Sequence, residues 1–340
     1  MNSTTFTDSI KKYTAVVALM GGMLLSASCD RLHEDLQPCP QGVRLRFIYD
    51  YNMEYANAFP SQVDCLTVLF YDEEGKYVTT RSNIPSEDLS NEEWRMTVDL
   101  EPGAYNIIAY GGMDCADSSF SFTSSPASVG MEQLQVELNH SNLTQPKGTR
   151  LHNLFYGRLD VEVDESDTNY RDYTLYMMKD TNNLRVMLQQ VDGTNIDEKD
   201  FEFKVVDDNT LMAWNNDIIP TGNVEYYPWA SGNVSPGELG DGGTASVAYA
   251  EMSFGRLVTT NSPRLIVTRK ADGYTVINIP LNNYLLLMKS DLYNKMPAQE
   301  FLDRESRWKM LFFLQGGIWL KTTIEVNDWT VRLNNTEFGL

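Results

Sequence analysis

The residues of this chain with the clearest chemical meaning are its four cysteines. Cys29 closes the run Leu25-Ser26-Ala27-Ser28-Cys29. A leucine followed by small residues and then cysteine resembles a bacterial lipobox. The small side chains let a peptidase approach the backbone, and the Cys29 thiol takes the diacylglycerol. Each buried CH₂ is worth about 0.8 kcal/mol, so several acyl chains together hold a protein on a bilayer almost permanently. The competing reading is an ordinary signal peptide in which Cys29 is incidental. Of the other cysteines, Cys39 stands between Pro38 and Pro40, Cys115 falls in a loop after a strand, and Cys65 sits inside an apolar strand pattern as a small buried hydrophobe. An exported chain meets an oxidising compartment, which favours one disulfide and leaves one thiol over. The expected pair is Cys39–Cys115, although spacing alone does not fix a pairing.

Other reactive side chains are sparse. None of His33, His140 and His152 is spaced with cysteine or carboxylate as a zinc site is, and all three read as solvated loop residues. The acidic clusters Asp164-Glu165-Asp167 and Asp207-Asp208 lack the EF-hand pattern and read as turns or strand ends. Glu300, Asp303 and Glu305 share a short helical stretch, where Glu300–Arg304 and Asp303–Arg307 form i,i+4 ion pairs. No GxSxG elbow and no Walker A loop occurs. The expectation is therefore a non-enzyme with no catalytic residues, no metal site and no cofactor. Trp229, in Tyr226-Tyr227-Pro228-Trp229, is the best aromatic candidate for stacking on a sugar, although most such residues pack in cores.

The elements that must carry these residues are strands. Lys11 and Lys12 precede an uncharged stretch from Tyr13 to Ser28, which is shorter than the roughly 20 apolar residues a bilayer span needs. It reads as a secretory signal over residues 1–28, followed by a polar lipidated tether over 29–40. From Val43 the pattern alternates with period two, and Val63 to Tyr71 is almost continuously apolar, as in a well-buried strand. Asp72-Glu73-Glu74-Gly75 and Asp272-Gly273 mark hairpins, the second as a type I′ turn. Strand signals at short spacing, with almost no helical period, indicate all-β sandwich architecture. The polar run Asn139 to His152 divides the chain into domains at 41–145 and 146–340. Only Pro297 to Ser306, in the second domain, reads as a helix.

Length and charge set outer limits. The 340 residues suit two domains, and 42% hydrophobic content excludes a disordered chain. The net charge of −20 argues against nucleic acid, whose phosphates call for Lys and Arg, and against a basic patch docked on an anionic membrane. Removing the signal, which carries Asp8, Lys11 and Lys12, makes the mature chain one unit more negative.

Several runs, in order, carry a family resemblance. They are Val43 to Met53 with Ala56-Asn57-Ala58-Phe59; Val68 to Gly75; Leu100-Glu101-Pro102-Gly103-Ala104-Tyr105; and Ala109-Tyr110-Gly111-Gly112. Near the end come Gln299 to Trp308 and Ile324-Glu325-Val326-Asn327-Asp328-Trp329. Together they resemble FimB-type fimbrial anchor lipoproteins of the Bacteroidales. The resemblance implies two tandem transthyretin-like β-sandwich domains, with fimbrial shaft subunits as partners. It further implies an outer-membrane lipoprotein, held by lipid on Cys29, that anchors type V fimbriae and limits their length. Subunits of this class join by strand addition, in which main-chain hydrogen bonds give affinity and alternate side chains fill pockets. The candidate contacts are Ile324 and Val326, and, after a phase shift at Asn327-Asp328, Trp329, Val331 and Leu333. The alternative is that this segment closes its own domain. Two rival functions remain open at this stage: a tip or accessory subunit of the same fimbria, or a surface glycan-binding lipoprotein using Trp229, Tyr226 and Tyr227.

Overall fold

A computed structural model describes residues 41–334, apart from 83, 144–146, 167–168, 235–245, 290–292 and 327–328, with backbone only from 321 onward. Cys29, the tether and Cys39 lie outside the described residues.

Strands dominate. The first half carries β1 (Gly42–Ile48), β2 (Leu66–Asp72), β3 (Tyr77–Arg81), β4 (Met96–Asp99), β5 (Gly103–Gly111), β6 (Phe120–Phe122), β7 (Gln135–Leu138), β8 (Phe155–Val163) and β9 (Tyr170–Lys179). The second carries β10 (Asn182–Gln190), β11 (Phe201–Asp207), β12 (Leu211–Ala213), β13 (Ile218–Ile219), β14 (Val224–Tyr226), β15 (Ala230–Val234) and β16 (Val247–Phe254). It ends with β17 (Arg264–Arg269), β18 (Tyr274–Pro280), β19 (Arg307–Gln315), β20 (Ile318–Val326) and β21 (Trp329–Asn334).

The first sandwich is one seven-stranded sheet, β3-β2-β5-β8-β9-β1-β4, folded on itself. The fold comes where β8 and β9 pair only from Phe155↔Lys179 to Gly157↔Met177. Beyond that corner β9 runs parallel to β1, with Gly42↔Tyr170 through Ile48↔Tyr176. The two leaves enclose Val43, Leu45 and Phe47 of β1, Leu66, Val68 and Phe70 of β2, Ile107 and Ala109 of β5, and Leu175 and Met177 of β9. The alternating run from Val43 is thus a strand with one face in this core.

β2 and β5 are buried on both faces. Leu69, Tyr71, Ile108 and Tyr110 point the other way, into a second and larger core. That is why Leu66 to Tyr71 reads as almost unbroken apolar sequence instead of an alternation. A small sheet, β13-β12-β7-β6, contributes Phe120, Val136, Leu138 and Met212 to the same core. It pairs Gln135–Glu137 with Leu211–Ala213 and so joins distant parts of the chain.

The second sandwich sets β15-β16-β10-β19-β20-β21 against β14-β11-β17-β18. Leu184, Val186 and Leu188 of β10, and Met310, Phe312 and Leu314 of β19, pack with Phe203 and Val205 of β11 and Ile277 and Ile279 of β18. As in the first sandwich, a parallel pair sits inside the sheet: β10 beside β19, from Asn183↔Arg307 to Gln190↔Leu314. The all-β, tandem-sandwich expectation therefore holds.

Three details of the sequence reading are corrected. The division at 145/146 does not follow the strand pairing, because β8 and β9 complete the first sandwich along β5 and β1. The hairpin at Asp272-Gly273 forms, but with a four-residue connection between Arg269 and Tyr274. Only Gly273 there has positive φ, at 71°, whereas a type I′ turn needs two such residues. Helix is also more frequent than expected: besides Ala298–Arg304, which realises the predicted one, Leu281–Leu286 coils directly after Pro280. Its Leu281 and Leu285 are fully buried at helical spacing.

Candidate functional site

The carboxy-terminal strands form one flank of the six-stranded sheet. β20 pairs antiparallel with β19 on one side, Met310↔Ile324 and Phe312↔Thr322 among others. On its other side it pairs with β21, through Val326↔Trp329, Ile324↔Val331 and Thr322↔Leu333. Ile324 and Val326 therefore lie on an interior strand that closes its own sheet. Trp329, Val331 and Leu333 lie on β21, which among the described residues pairs on one side only. An unpaired strand edge presents backbone N–H and C=O groups that can take another strand. The register places Val331 opposite Ile324, which stands opposite the buried Met310 of β19. The sequence leaves open whether this segment closes its domain or is available; in the pairing β20 closes its own sheet, and β21 is the outermost strand among the described residues.

The junction between the sandwiches is polar and charged. Asp180 lies in the link between β9 and β10 and is 1% exposed. Asn216 Nδ2 donates to its Oδ1 at 3.0 Å, and Arg256 Nε stands 3.9 Å away. Arg256 itself clasps Asp303 with two bonds, Nε to Oδ1 at 2.9 Å and Nη2 to Oδ2 at 3.1 Å, and donates from Nη1 to the Asn216 carbonyl at 2.7 Å. Gln299 Nε2 adds a bond to Asp303 Oδ1 at 2.9 Å. The expected Asp303–Arg307 pair is not what forms. The helix ends at Arg304, so Asp303 turns inward to Arg256, while Arg307 begins β19 and reaches Glu54 at 3.1 Å. The Glu300–Arg304 pair does form, at 2.7 Å, and the Arg304 guanidinium stacks over Tyr51 and Tyr55 at 4.1 and 4.8 Å. Burial pushes the Asp180 carboxyl up to about 7, and its Oδ2 has no hydrogen-bond partner among the described residues. Nearby, burial lowers the Lys179 ammonium to about 8.

The cysteine expectation is overturned. Cys65 pairs with Cys115, at a Cα separation of 6.1 Å. Cys65 stands immediately before β2, and antiparallel pairing of β2 with β5 (Leu66↔Gly111) brings the loop after β5 to it. His152, which the sequence reading assigned to solvent, has only 15% of its side chain exposed. Its Nε2 lies 2.9 Å from Asp64 Oδ1 and 3.9 Å from Cys115 Sγ. Separations of 88 and 37 residues hid this cluster from any spacing rule.

The aromatic candidates are split. Tyr226 is 2% exposed and donates its hydroxyl to Asn209 Oδ1 at 2.6 Å, so it belongs to the core. Tyr227 is nearly buried and bonds Glu225. Trp229 remains half-buried at a groove of about 530 Å³ that it shares with Phe201, Phe203, Lys199 and Lys270, and its ring is stacked by Arg150 at 5.3 Å. A three-ring platform facing solvent does not form.

Comparison with known proteins bears on most of the chain. A family model described as fimbrillin-A associated anchor proteins Mfa1 and Mfa2 matches residues 36–335. The minor fimbrium anchoring subunit Mfa2 of Porphyromonas gingivalis is 31% identical over 104 residues, which is 29% of this chain and 30% of that protein. The match thus spans less than a third of that relative. The crystal structure of a candidate adhesin from Bacteroides thetaiotaomicron superposes with TM-score 0.81 at 52% identity, covering 88% of this chain and 100% of that one. The fimbrial anchor protein Mfa2 from Porphyromonas gingivalis shares the fold, with TM-score 0.64 at 16% identity over 87% of this chain and 100% of its own.

Proposed function

Because the chain belongs to the family of fimbrillin-A associated anchor proteins, we propose that it is the outer-membrane anchor of a fimbria and limits the fimbria's length. In this reading a lipid on Cys29 holds the base in the membrane, and the folded body engages the first shaft subunit by β-strand addition. The observation that carries the contact is the position of β21, which among the described residues pairs on one side only, next to a β20 already paired on both. A shaft strand laid along β21 would extend the six-stranded sheet, with main-chain hydrogen bonds supplying affinity and alternate side chains the register. Trp329, Val331 and Leu333 are the residues proposed to set that register.

The acidic composition fits this arrangement, since an acyl anchor needs no basic face to stay on the membrane. Deleting residues 327–340 should release fimbriae into the medium while the protein stays lipidated and folded. Fimbriae that remain attached to cells making the truncated protein would refute the contact. Separately, Cys29→Ala should move the mature protein from the detergent phase to the aqueous phase in a phase-partition assay. An unaltered partition would refute the lipid.

A further inference from the structure

We propose that the thiol form of this chain binds a zinc-class divalent cation through Cys65, Cys115, His152 and Asp64. Each residue offers one ligand atom, and the four atoms lie within 4.8 Å of one another. A tetrahedral site with Zn–S near 2.3 Å and Zn–N near 2.1 Å sets sulfur and nitrogen about 3.6 Å apart and two sulfurs about 3.8 Å apart. Cys115 Sγ and His152 Nε2 already stand at 3.9 Å, and Nε2 and Asp64 Oδ1 at 2.9 Å. Once their bond is broken the two sulfurs must separate to about 3.8 Å, and Nε2 and Oδ1 must open from their hydrogen-bonding distance to about 3.4 Å. Two thiolates with an imidazole and a carboxylate select zinc over the oxygen-seeking calcium and magnesium.

The backbone holds the ligands in place. Cys65, Cys115 and His152 flank three neighbouring strands, β2, β5 and β8. The amide of Gly112 donates to the Cys65 carbonyl at 3.0 Å, that of Cys115 to Ser118 Oγ at 3.1 Å, and that of His152 to Ser119 Oγ at 2.8 Å. Asp64, with 65% of its side chain exposed, provides the way in.

The chemistry has two steps. A dithiol reductant gives two electrons and two protons to the Cys65–Cys115 bond, yielding two thiols and leaving as its own disulfide. The cation then displaces both thiol protons and binds the thiolates. Disulfide and metal are thus alternative clips on the same three strands, chosen by redox state.

The test uses the full chain carrying Cys29→Ala and Cys39→Ser, so that only these two thiols remain. It is reduced with a phosphine and titrated with Co²⁺ as the probe. The expected result is thiolate-to-cobalt charge-transfer absorption saturating at one equivalent and displaced by Zn²⁺. Binding should be at least tenfold weaker in His152→Ala and absent in Cys115→Ser and in the oxidised chain. Reduced protein that binds Co²⁺ no better than the oxidised form overturns the proposal. So does a chain that loses its far-ultraviolet circular dichroism on reduction and does not recover it when Co²⁺ is added.

Discussion

Asp180→Asn should make the stability of this protein markedly less sensitive to pH. The Asp180 carboxyl sits fully buried in the link between the sandwiches, and burial raises it from 3.8 to about 7. A carboxyl raised in the folded state binds its proton more tightly there than in the unfolded chain. Its stabilising effect is therefore complete below about pH 4 and is lost as pH rises towards 7. A shift of that size corresponds to about 4 kcal/mol between the two ends of the window, taking 1.36 kcal/mol per pH unit. Asparagine keeps an oxygen in place to accept from Asn216 and carries no charge to desolvate. Arg256 keeps its two bonds to Asp303. The assay is urea denaturation of both proteins at steps from pH 4 to pH 8. The variant should gain on wild type by about 4 kcal/mol across that range, whatever their offset at pH 4. Asp207, which burial raises to about 6, titrates in both proteins and cancels in the difference. Two stability curves that run parallel from pH 4 to pH 8 would refute the reasoning.

Arg256→Ala should destabilise strongly, by about 3–5 kcal/mol, because it strands Asp303 and Asp180 without their cation; denaturant midpoints at pH 7 check it, and a loss under 1 kcal/mol would count against the network. Gly112→Ala should cost more than the roughly 1–2 kcal/mol of a left-handed backbone at φ 83°, since an added Cβ would meet the Asn153 carbonyl oxygen at 1.9 Å. A thermal melt of that variant superimposing on wild type would contradict the close approach of β5 and the chain entering β8.

Local pattern carried the strands well. The alternation from Val43, the hairpin turn before Lys76 and the helix after Pro297 all follow from rules that act within a few residues. So does the doubly apolar run from Leu66, although what its second face packs against was not legible. The errors fall where partners are distant. Nothing in the residues of β8 and β9 says that they pair with β5 and β1. Asp303 has an arginine four residues on and takes another 47 residues back. A helix that stops at Arg304 removes the first choice, and helix termination is weakly encoded.

What the sequence determined by itself was the strand content, a lipobox-like run near its amino terminus and an acidic balance of charge. These depend on composition and on side-chain periods of two and 3.6, both local quantities. The tertiary structure decided which cysteines meet and that β8 and β9 belong to the first sandwich. It also gathered Asp64 and His152 around the sulfurs and, among the described residues, left β21 rather than β20 at the edge. Each of these is a contact between segments brought together by strand pairing, and pairing depends on the shape of the whole sheet.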